Sequence, residues 1–291
     1  MERLPRSAAR ALCMGLLAAS CQAAPPPPAQ APPPAAATHF ATVEALLDAV
    51  EAKASALRDF SAAIGLETSD DVTGDTERRL GQLVFVQEEG KPATRRFAVV
   101  FEKFIDASGR MDERPVRYLY ADGWLTEADF TQRTLVRRQL ARPGEGYDPL
   151  KPGEGPVPLP IGQRAEEVRS RFRVVLAGAP THPALAAMRD GKRPLVGLVL
   201  EPRPGMADRD LRSATVWYDA RTLAPCGVEA MRAQGRTTVI LRDPLMNAGL
   251  DDAQRALLDL AAGATDGWRV DERPLPPAPS GPSPAPSGRT P

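Results

Sequence analysis

The first regular pattern of apolar residues in the chain has helical spacing. It consists of Val43, Leu46, Leu47, Val50, Ala54 and Leu57. Thr42 precedes the run, and Glu44 places a negative charge in the first turn, where the helix dipole favours it. The pattern therefore predicts an amphipathic helix over residues 42–58.

After this helix the apolar period changes to two, which is the spacing of half-buried strands. The alternating positions include Phe60, Ala62, Ile64 and Leu66, then Leu83 and Phe85, then Phe97, Val99 and Phe101, then Val116, Tyr118 and Tyr120. Asp122-Gly123 is a tight-turn signal before the next run, which begins at Trp124. Later strands are predicted at 195–200, 214–219, 227–232 and 237–242, and short helices at 163–173 and 251–260. Strands joined by turns, without helices between them, predict a mainly β, α+β fold with an antiparallel meander of about eleven strands.

One face of this sheet is rich in aromatic residues and has to be covered. Its predicted members are Phe60, Ile64, Phe85, Phe97, Val99, Phe101, Tyr118, Tyr120 and Trp124. The available helices are few and short. Either the sheet closes into a filled barrel, or it curls and leaves a cavity that the helices cover. A packed core without a ligand is a third alternative. In the cavity hypothesis, Leu159 and Ile161 of the Pro-rich segment 142–162 help to cover the wall.

The two ends of the chain differ from the part between them. Arg3, Arg6 and Arg10 precede the apolar run 11–19, which is too short to span a bilayer. This layout predicts a signal peptide over residues 1–20 and a protein outside the cytoplasm. The run ends in LAASC, which resembles a lipobox, so Cys21 is either diacylated after cleavage or part of an ordinary cleavage site. Residues 21–39 predict a stiff Pro/Ala-rich tether, residues 40–273 one folded domain, and residues 274–291 a disordered Pro/Ser-rich tail.

Charge and the rare residue types exclude several classes of function. The 37 basic and 37 acidic residues balance, which argues against nucleic-acid binding. Two histidines and three cysteines argue against a metal site. Cys226 is the one cysteine of the folded region, so we predict a buried thiol without a disulfide. His182 has no nucleophile near it in sequence, and we interpret it as a surface or loop residue. The sequence predicts no enzyme, cofactor or metal.

Several short motifs, in a specific order, resemble one family of envelope proteins. Gly81-x-Leu83-x-Phe85, Arg96-Phe97 and the hairpin YADGWL (120–125) look like LolA, the periplasmic carrier of outer-membrane lipoproteins. The segment PLPIG (158–162) is similar to the family's segment after the sixth strand. WYDARTLAP (217–225) followed by RTT (236–238) is similar to its late hairpin. The resemblance covers residues 42–270.

The resemblance implies an unclosed half-barrel in which an N-terminal helix and short lid helices cover a hydrophobic cavity for lipoprotein acyl chains. It implies a non-enzymatic, monomeric carrier in the periplasm of a Gram-negative-type bacterium. An anchored Cys21 would instead suit an acceptor such as LolB, which shares the fold. The implied partners are lipoprotein acyl chains, an inner-membrane release complex and an outer-membrane acceptor. The alternative is an envelope-sensing or protein-binding domain on the same scaffold, without lipid transfer.

Overall fold

The computed structural model describes residues 40–88, 94–142, 158–159, 161, 164–190, 193–205 and 210–276. Within these ranges the helices are α1 (Val43–Ser55), α2 (Ala165–Arg171), α3 (Pro183–Asp190) and α4 (Asp252–Ala256). The strands are β1 (Asp59–Asp70), β2 (Thr76–Glu88), β3 (Thr94–Ile105), β4 (Met111–Ala121), β5 (Trp124–Asp129), β6 (Thr134–Gln139), β7 (Phe172–Leu176), β8 (Leu195–Pro202), β9 (Leu211–Asp219), β10 (Pro225–Arg232), β11 (Gly235–Met246) and β12 (Arg269–Arg273). The predicted signal peptide, the whole of the predicted tether and nearly all of the predicted tail lie outside the described residues.

All of these strands belong to one sheet, in the order β12-β6-β5-β4-β3-β2-β1-β11-β10-β9-β8-β7. Strands β1 to β6 form one antiparallel meander and β7 to β11 a second, and antiparallel pairing of β1 with β11 joins the two. β12 pairs parallel to β6. The sheet is curled and unclosed, because β7 and β12 lie at opposite ends of the strand order. The predicted half-barrel class is confirmed, with twelve strands in place of about eleven.

Local sequence signals account for the first helix and for one of the hairpins. The Thr42 side chain accepts a hydrogen bond from the Ala45 N–H at 3.2 Å and so caps α1. The helix ends at Ser55, three residues earlier than predicted, although Leu57 beyond it is buried. Asp122 (φ 52°) and Gly123 (φ 79°) form the predicted two-residue turn between β4 and β5.

Three elements were missed by the apolar pattern. The predicted helix 163–173 ends at Arg171, and Phe172 begins β7. Ala165, Val168 and Phe172 match helical spacing, yet Phe172, Val174 and Leu176 also alternate, and pairing with β8 decides for the strand. Helix α3 was not predicted because it is only eight residues long. Strand β12 was not predicted because Val270 is its one apolar residue.

Bulges and outer packing shape the sheet. Register shifts occur in β1 between Ser61 and Ala63, and between β2 and β3 at Leu80/Gly81. Such shifts increase local twist and bend a sheet. We call the side that carries the largest apolar cluster the inner face. Two smaller clusters lie on the outer face, one beneath the chain that follows β11 and one beneath α3. No helix of the described ranges is long and apolar enough to cross a membrane.

Candidate functional site

The inner face brings together most of the predicted wall. Nine of the predicted residues belong to its apolar cluster: Phe60, Ile64, Phe85, Phe97, Val99, Phe101, Tyr120, Leu159 and Ile161. Tyr118 is partly buried against this cluster. In the strand register Phe97 lies opposite both Phe85 and Tyr120, and Val99 opposite Tyr118. The rings of Phe97 and Tyr120 stack with centroids 5.7 Å apart. These positions meet because alternate side chains of neighbouring strands share a face.

Trp124 is the exception, and the structure corrects its predicted place in the wall. It pairs with Ala121, whereas the next residue, Leu125, pairs with Tyr120 and joins the inner cluster. Trp124 therefore points to the outer face, where the guanidinium of Arg137 lies 4.9 Å from its ring centroid. Because the turn contains two residues, Ala121 and Trp124 pair directly across it, and their side chains lie on the same face of the sheet.

The inner face is covered by elements that do not belong to the sheet, and we call them the cover: α1, α2 and residues 159 and 161. Helix α1 contributes Leu46, Leu47 and Val50, and α2 contributes Ala165 and Val168. Leu159 (5% exposed) and Ile161 (2%) belong to the same cluster. The cover is therefore attached largely through apolar side-chain contacts, without the backbone ladder that joins strands.

The polar contacts among the described parts of the cover and the sheet include an ion pair and two hydrogen bonds from Arg203. The Arg169 guanidinium of α2 lies 2.7 Å from the Asp48 carboxylate of α1, with the two side chains 44% and 67% exposed. A pair this exposed contributes about 0–1 kcal/mol. Arg203, just after β8, donates to the carbonyl oxygens of Arg169 and Phe172 at 3.1 and 3.3 Å.

A single asparagine holds the end of α1 against the sheet. The Asn247 side chain accepts a hydrogen bond from the Arg58 N–H at 2.7 Å and donates one to the Ala56 carbonyl at 2.9 Å. Its own N–H donates to the Asp59 carbonyl at 2.9 Å. Asn247 has a left-handed φ of 55°, which asparagine tolerates better than most residues. These hydrogen bonds attach the C-terminal end of α1 to the sheet, whereas the contacts given above for α2 are an exposed ion pair and two hydrogen bonds from Arg203.

One hydroxyl on the inner face is not paired. Tyr218 of β9 is 1% exposed, and within the described residues its hydroxyl oxygen has no hydrogen-bond partner. Its neighbours in the strand register are Val196 and Pro225. An unmet buried polar group costs about 1–3 kcal/mol. The wall prediction omitted this residue, although Ala214, Val216 and Tyr218 alternate as clearly as the aromatic residues of β3.

The outer face carries a polar cluster around Glu229 of β10. Its carboxylate accepts hydrogen bonds from the His182 N–H at 2.8 Å, from the indole N–H of Trp217 at 2.7 Å, and from the Thr181 hydroxyl. The His182 Nδ1 accepts a hydrogen bond from the Ala184 N–H at 3.2 Å, and the Nε2 on the other side of the ring lies 3.2 Å from a Glu67 carboxylate oxygen. His182 is 9% exposed and lies in the loop just before α3, so the surface half of its interpretation is corrected and the loop half is confirmed.

Cys226 packs beneath α3 with Leu185 and Trp217, and the prediction of a buried free thiol is confirmed. Burial raises the pKa of the Cys226 thiol to about 11, so the reactive thiolate is scarce at neutral pH. Beside this cluster, a cleft of about 460 Å³ opens between α3 and β11. It is lined by Ala184, Ala187, Met188, Arg193, Arg242 and Asp243. Within the described ranges, no three His, Cys, Asp or Glu side chains are grouped as metal ligands.

No protein-family model and no curated protein sequence matches the chain. Solved structures do match it at low identity. An uncharacterized conserved protein from Thermus thermophilus is 12% identical, with a TM-score of 0.43 over 79% of this chain and 98% of that one. A chain of the Pseudomonas aeruginosa MucA/MucB complex is 15% identical, with a TM-score of 0.39. That match covers 75% of this chain and 61% of the other, so this chain spans about three-fifths of its length.

A LolA superfamily protein from Nitrosomonas europaea is 10% identical to this chain, with a TM-score of 0.28 over 74% of this chain and 97% of that one. At these identities the matches concern the fold alone.

Proposed function

We propose that this protein is a non-enzymatic carrier or acceptor of lipoproteins that binds acyl chains between the inner face of the sheet and its cover. One observation supports this most directly. Within the described residues, the largest apolar surface of the sheet, which includes Phe60, Val99 and Phe101, is covered by α1, α2 and residues 159 and 161, and not by a second sheet. A cover attached through side chains can move without breaking the strand ladder.

The free energies of burying apolar groups favour an exchange in which an acyl chain replaces the cover on the inner face. The large buried side chains of the cover contribute about 1.5–3 kcal/mol each, and six of them sum to about 9–18 kcal/mol: Leu46, Leu47, Val50, Leu159, Ile161 and Val168. Burying a sixteen-carbon chain contributes about 0.8 kcal/mol per methylene, or about 12 kcal/mol. One acyl chain thus offsets most of the loss of the cover's contacts, and a ligand with two or three chains exceeds it.

The cover hypothesis predicts that a destabilising substitution strengthens binding. Leu159→Ala is expected to lower the free energy of unfolding by about 2–4 kcal/mol. It should also raise the affinity for dansyl-labelled undecanoic acid about fivefold or more, because only the closed, unliganded state loses the contact. Fluorescence titration of the full chain measures the affinity, and urea unfolding measures the stability.

Leu250→Ala is the matched control. Leu250 (7% exposed) is buried about as deeply as Leu159 (5%), but it belongs to the outer cluster beneath the chain after β11. It should lose comparable stability and leave the affinity unchanged. Equal affinities for the Leu159→Ala variant and the wild type would contradict the exchange, and no binding by the wild type would contradict the carrier function.

The role of the N-terminus is a second part of the proposal. Residues 1–20 have the layout of a signal peptide, Cys21 follows the lipobox-like LAAS, and a Pro/Ala-rich tether comes next. We infer export to the periplasm of a Gram-negative-type bacterium. The proposed partners there are lipoprotein acyl chains, an inner-membrane release complex and an outer-membrane acceptor.

Intact mass measurement of the mature protein tests the anchor. A diacylated N-terminus at Cys21 is expected, with the protein in the membrane fraction, and the Cys21→Ala variant should move to the soluble fraction. A diacylated protein suits the acceptor role, since it stays on one membrane. An unmodified N-terminus in the wild type would overturn the anchor and leave the soluble carrier role.

A protein-binding domain without lipid transfer is the second candidate. It is favoured by the outermost strand β7, where Val175 and Leu176 are 38% and 37% exposed. Such an edge offers unpaired backbone groups to an added strand. Lipid extraction from protein purified from its native host, followed by mass spectrometry, separates the two candidates, because only the carrier or acceptor should retain acyl lipid.

A further inference from the structure

Tyr218 and its neighbour Trp217 differ in whether their polar group has a hydrogen-bond partner. Trp217 and Tyr218 are adjacent on β9 and face opposite sides of the sheet. The Trp217 N–H on the outer face donates to Glu229 at 2.7 Å, whereas the Tyr218 hydroxyl on the inner face has no partner among the described residues. Buried tyrosine hydroxyls usually find a partner. The unmet donor therefore lies on the face that the proposed function assigns to the ligand.

The surroundings of this hydroxyl restrict what could pair with it. Tyr218 belongs to the inner apolar cluster, which also contains Val216 and Leu223, and the adjacent positions in the register are Val196 and Pro225. Burial raises the pKa of the phenol far above its ordinary value, so the group remains a donor. A single neutral donor in apolar surroundings suits one neutral acceptor attached to hydrocarbon, since an ionised group there would lose its hydration without compensation.

We propose that Tyr218 donates a hydrogen bond to the carbonyl oxygen of an ester-linked or amide-linked acyl chain. This inference rests on the proposed function, and it adds a chemical preference to it. Lipids that carry acyl chains would be favoured over those with ether-linked alkyl chains of the same length. The hydroxyl then adds a polar point of recognition to a wall that is mainly apolar.

Two lysophospholipids test this preference, because they differ only in the carbonyl group. Palmitoyl lysophosphatidylcholine has the ester, and its hexadecyl ether analogue lacks it. Each would displace a dansyl-labelled fatty acid from the full chain. The wild type is expected to bind the ester about five- to tenfold more tightly than the ether, which is the effect of one hydrogen bond. Tyr218→Phe should abolish this preference while the ether affinity remains the same.

Stability provides an independent readout. Removing an unmet hydroxyl should leave the urea midpoint of Tyr218→Phe equal to or above that of the wild type. Tyr120→Phe is the control, because Tyr120 is buried in the same cluster with its ring stacked on Phe97. It should keep the ester preference.

The outcomes separate the inference from the proposed function. If the wild type binds both lipids equally, the role of Tyr218 is overturned and the carrier function stands. A lower midpoint for Tyr218→Phe, without any ester preference in the wild type, would assign the hydroxyl to a buried water and also overturn the role. If neither lipid displaces the probe and the probe itself does not bind, both the function and the inference fail.

Discussion

Gly81→Ala is expected to destabilise the protein by about 3 kcal/mol or more, and to prevent folding if the loss exceeds the total stability. A Cβ atom at position 81 would lie 1.8 Å from the Val100 carbonyl oxygen and 2.8 Å from the Phe101 Cα. These are backbone atoms of β3, a strand paired on both sides, and the Phe101 side chain is fully buried. Neither strand can therefore move away without disturbing the inner wall.

Gly65→Ala provides the matched control in the neighbouring strand. The nearest atoms to a Cβ at position 65 are the Leu80 Cδ2 at 3.7 Å and the Ile240 Cβ at 4.0 Å, which are ordinary contacts. Alanine is otherwise preferred to glycine in a strand by about 0.5–1 kcal/mol, so this variant should be neutral or slightly stabilised. Urea unfolding at constant m-value compares the two, and equal midpoints would contradict the close approach of β2 and β3.

Glu229→Ala is expected to cost about 3 kcal/mol or more and to loosen α3 from the outer face, because each buried donor left without an acceptor costs about 1–3 kcal/mol. The substitution leaves the Trp217 indole N–H, the His182 N–H and the Thr181 hydroxyl without their acceptor. Trp217 is only 2% exposed, so water cannot readily replace the lost bond. Thermal or urea unfolding measures the loss, and hydrogen exchange should show early opening of α3.

Two further variants isolate the role of the buried carboxylate. Glu229→Gln keeps the shape and one acceptor oxygen but turns an amide toward one of the donors, so an intermediate loss is expected. Glu201→Ala removes a strand glutamate whose side chain is 48% exposed and which pairs with Arg173 at 3.3 Å. This surface pair should contribute less than about 1 kcal/mol. Similar losses for Glu201→Ala and Glu229→Ala would show that burial is unimportant at position 229.

Most of the candidate wall could be predicted because period two is a local property. Phe97, Val99 and Phe101 alternate within one strand, so they share a face wherever that strand lies. Trp124 was misplaced because its face depends on how the Asp122-Gly123 turn joins two strands. Tyr218 was overlooked because the distant strands β9 and β3 share one face only through the pairing of β1 with β11.

The polar contacts were beyond prediction for a related reason. Asn247 binds the end of α1 across a separation of 191 residues, and Glu229 meets Thr181 across 48. Neither residue belongs to a motif, and neither alters the apolar period. An isolated histidine before a proline is typical of an exposed loop, whereas the buried position of His182 depends on distant partners: its ring lies 3.2 Å from the Glu67 carboxylate, and its backbone N–H donates to Glu229.

Local patterns were sufficient to predict the class of the fold, the strands with clear alternation, the amphipathic first helix and the tight turn at Asp122-Gly123, because each depends on residues that are close in the chain. Four features could be found only in the folded structure: the joining of the two meanders through β1 and β11, the parallel strand β12, the docking of α3 and the unmet hydroxyl of Tyr218. These features depend on contacts between residues far apart in the chain. Whether such contacts form depends on the packing free energy of the whole sheet, which no local pattern contains.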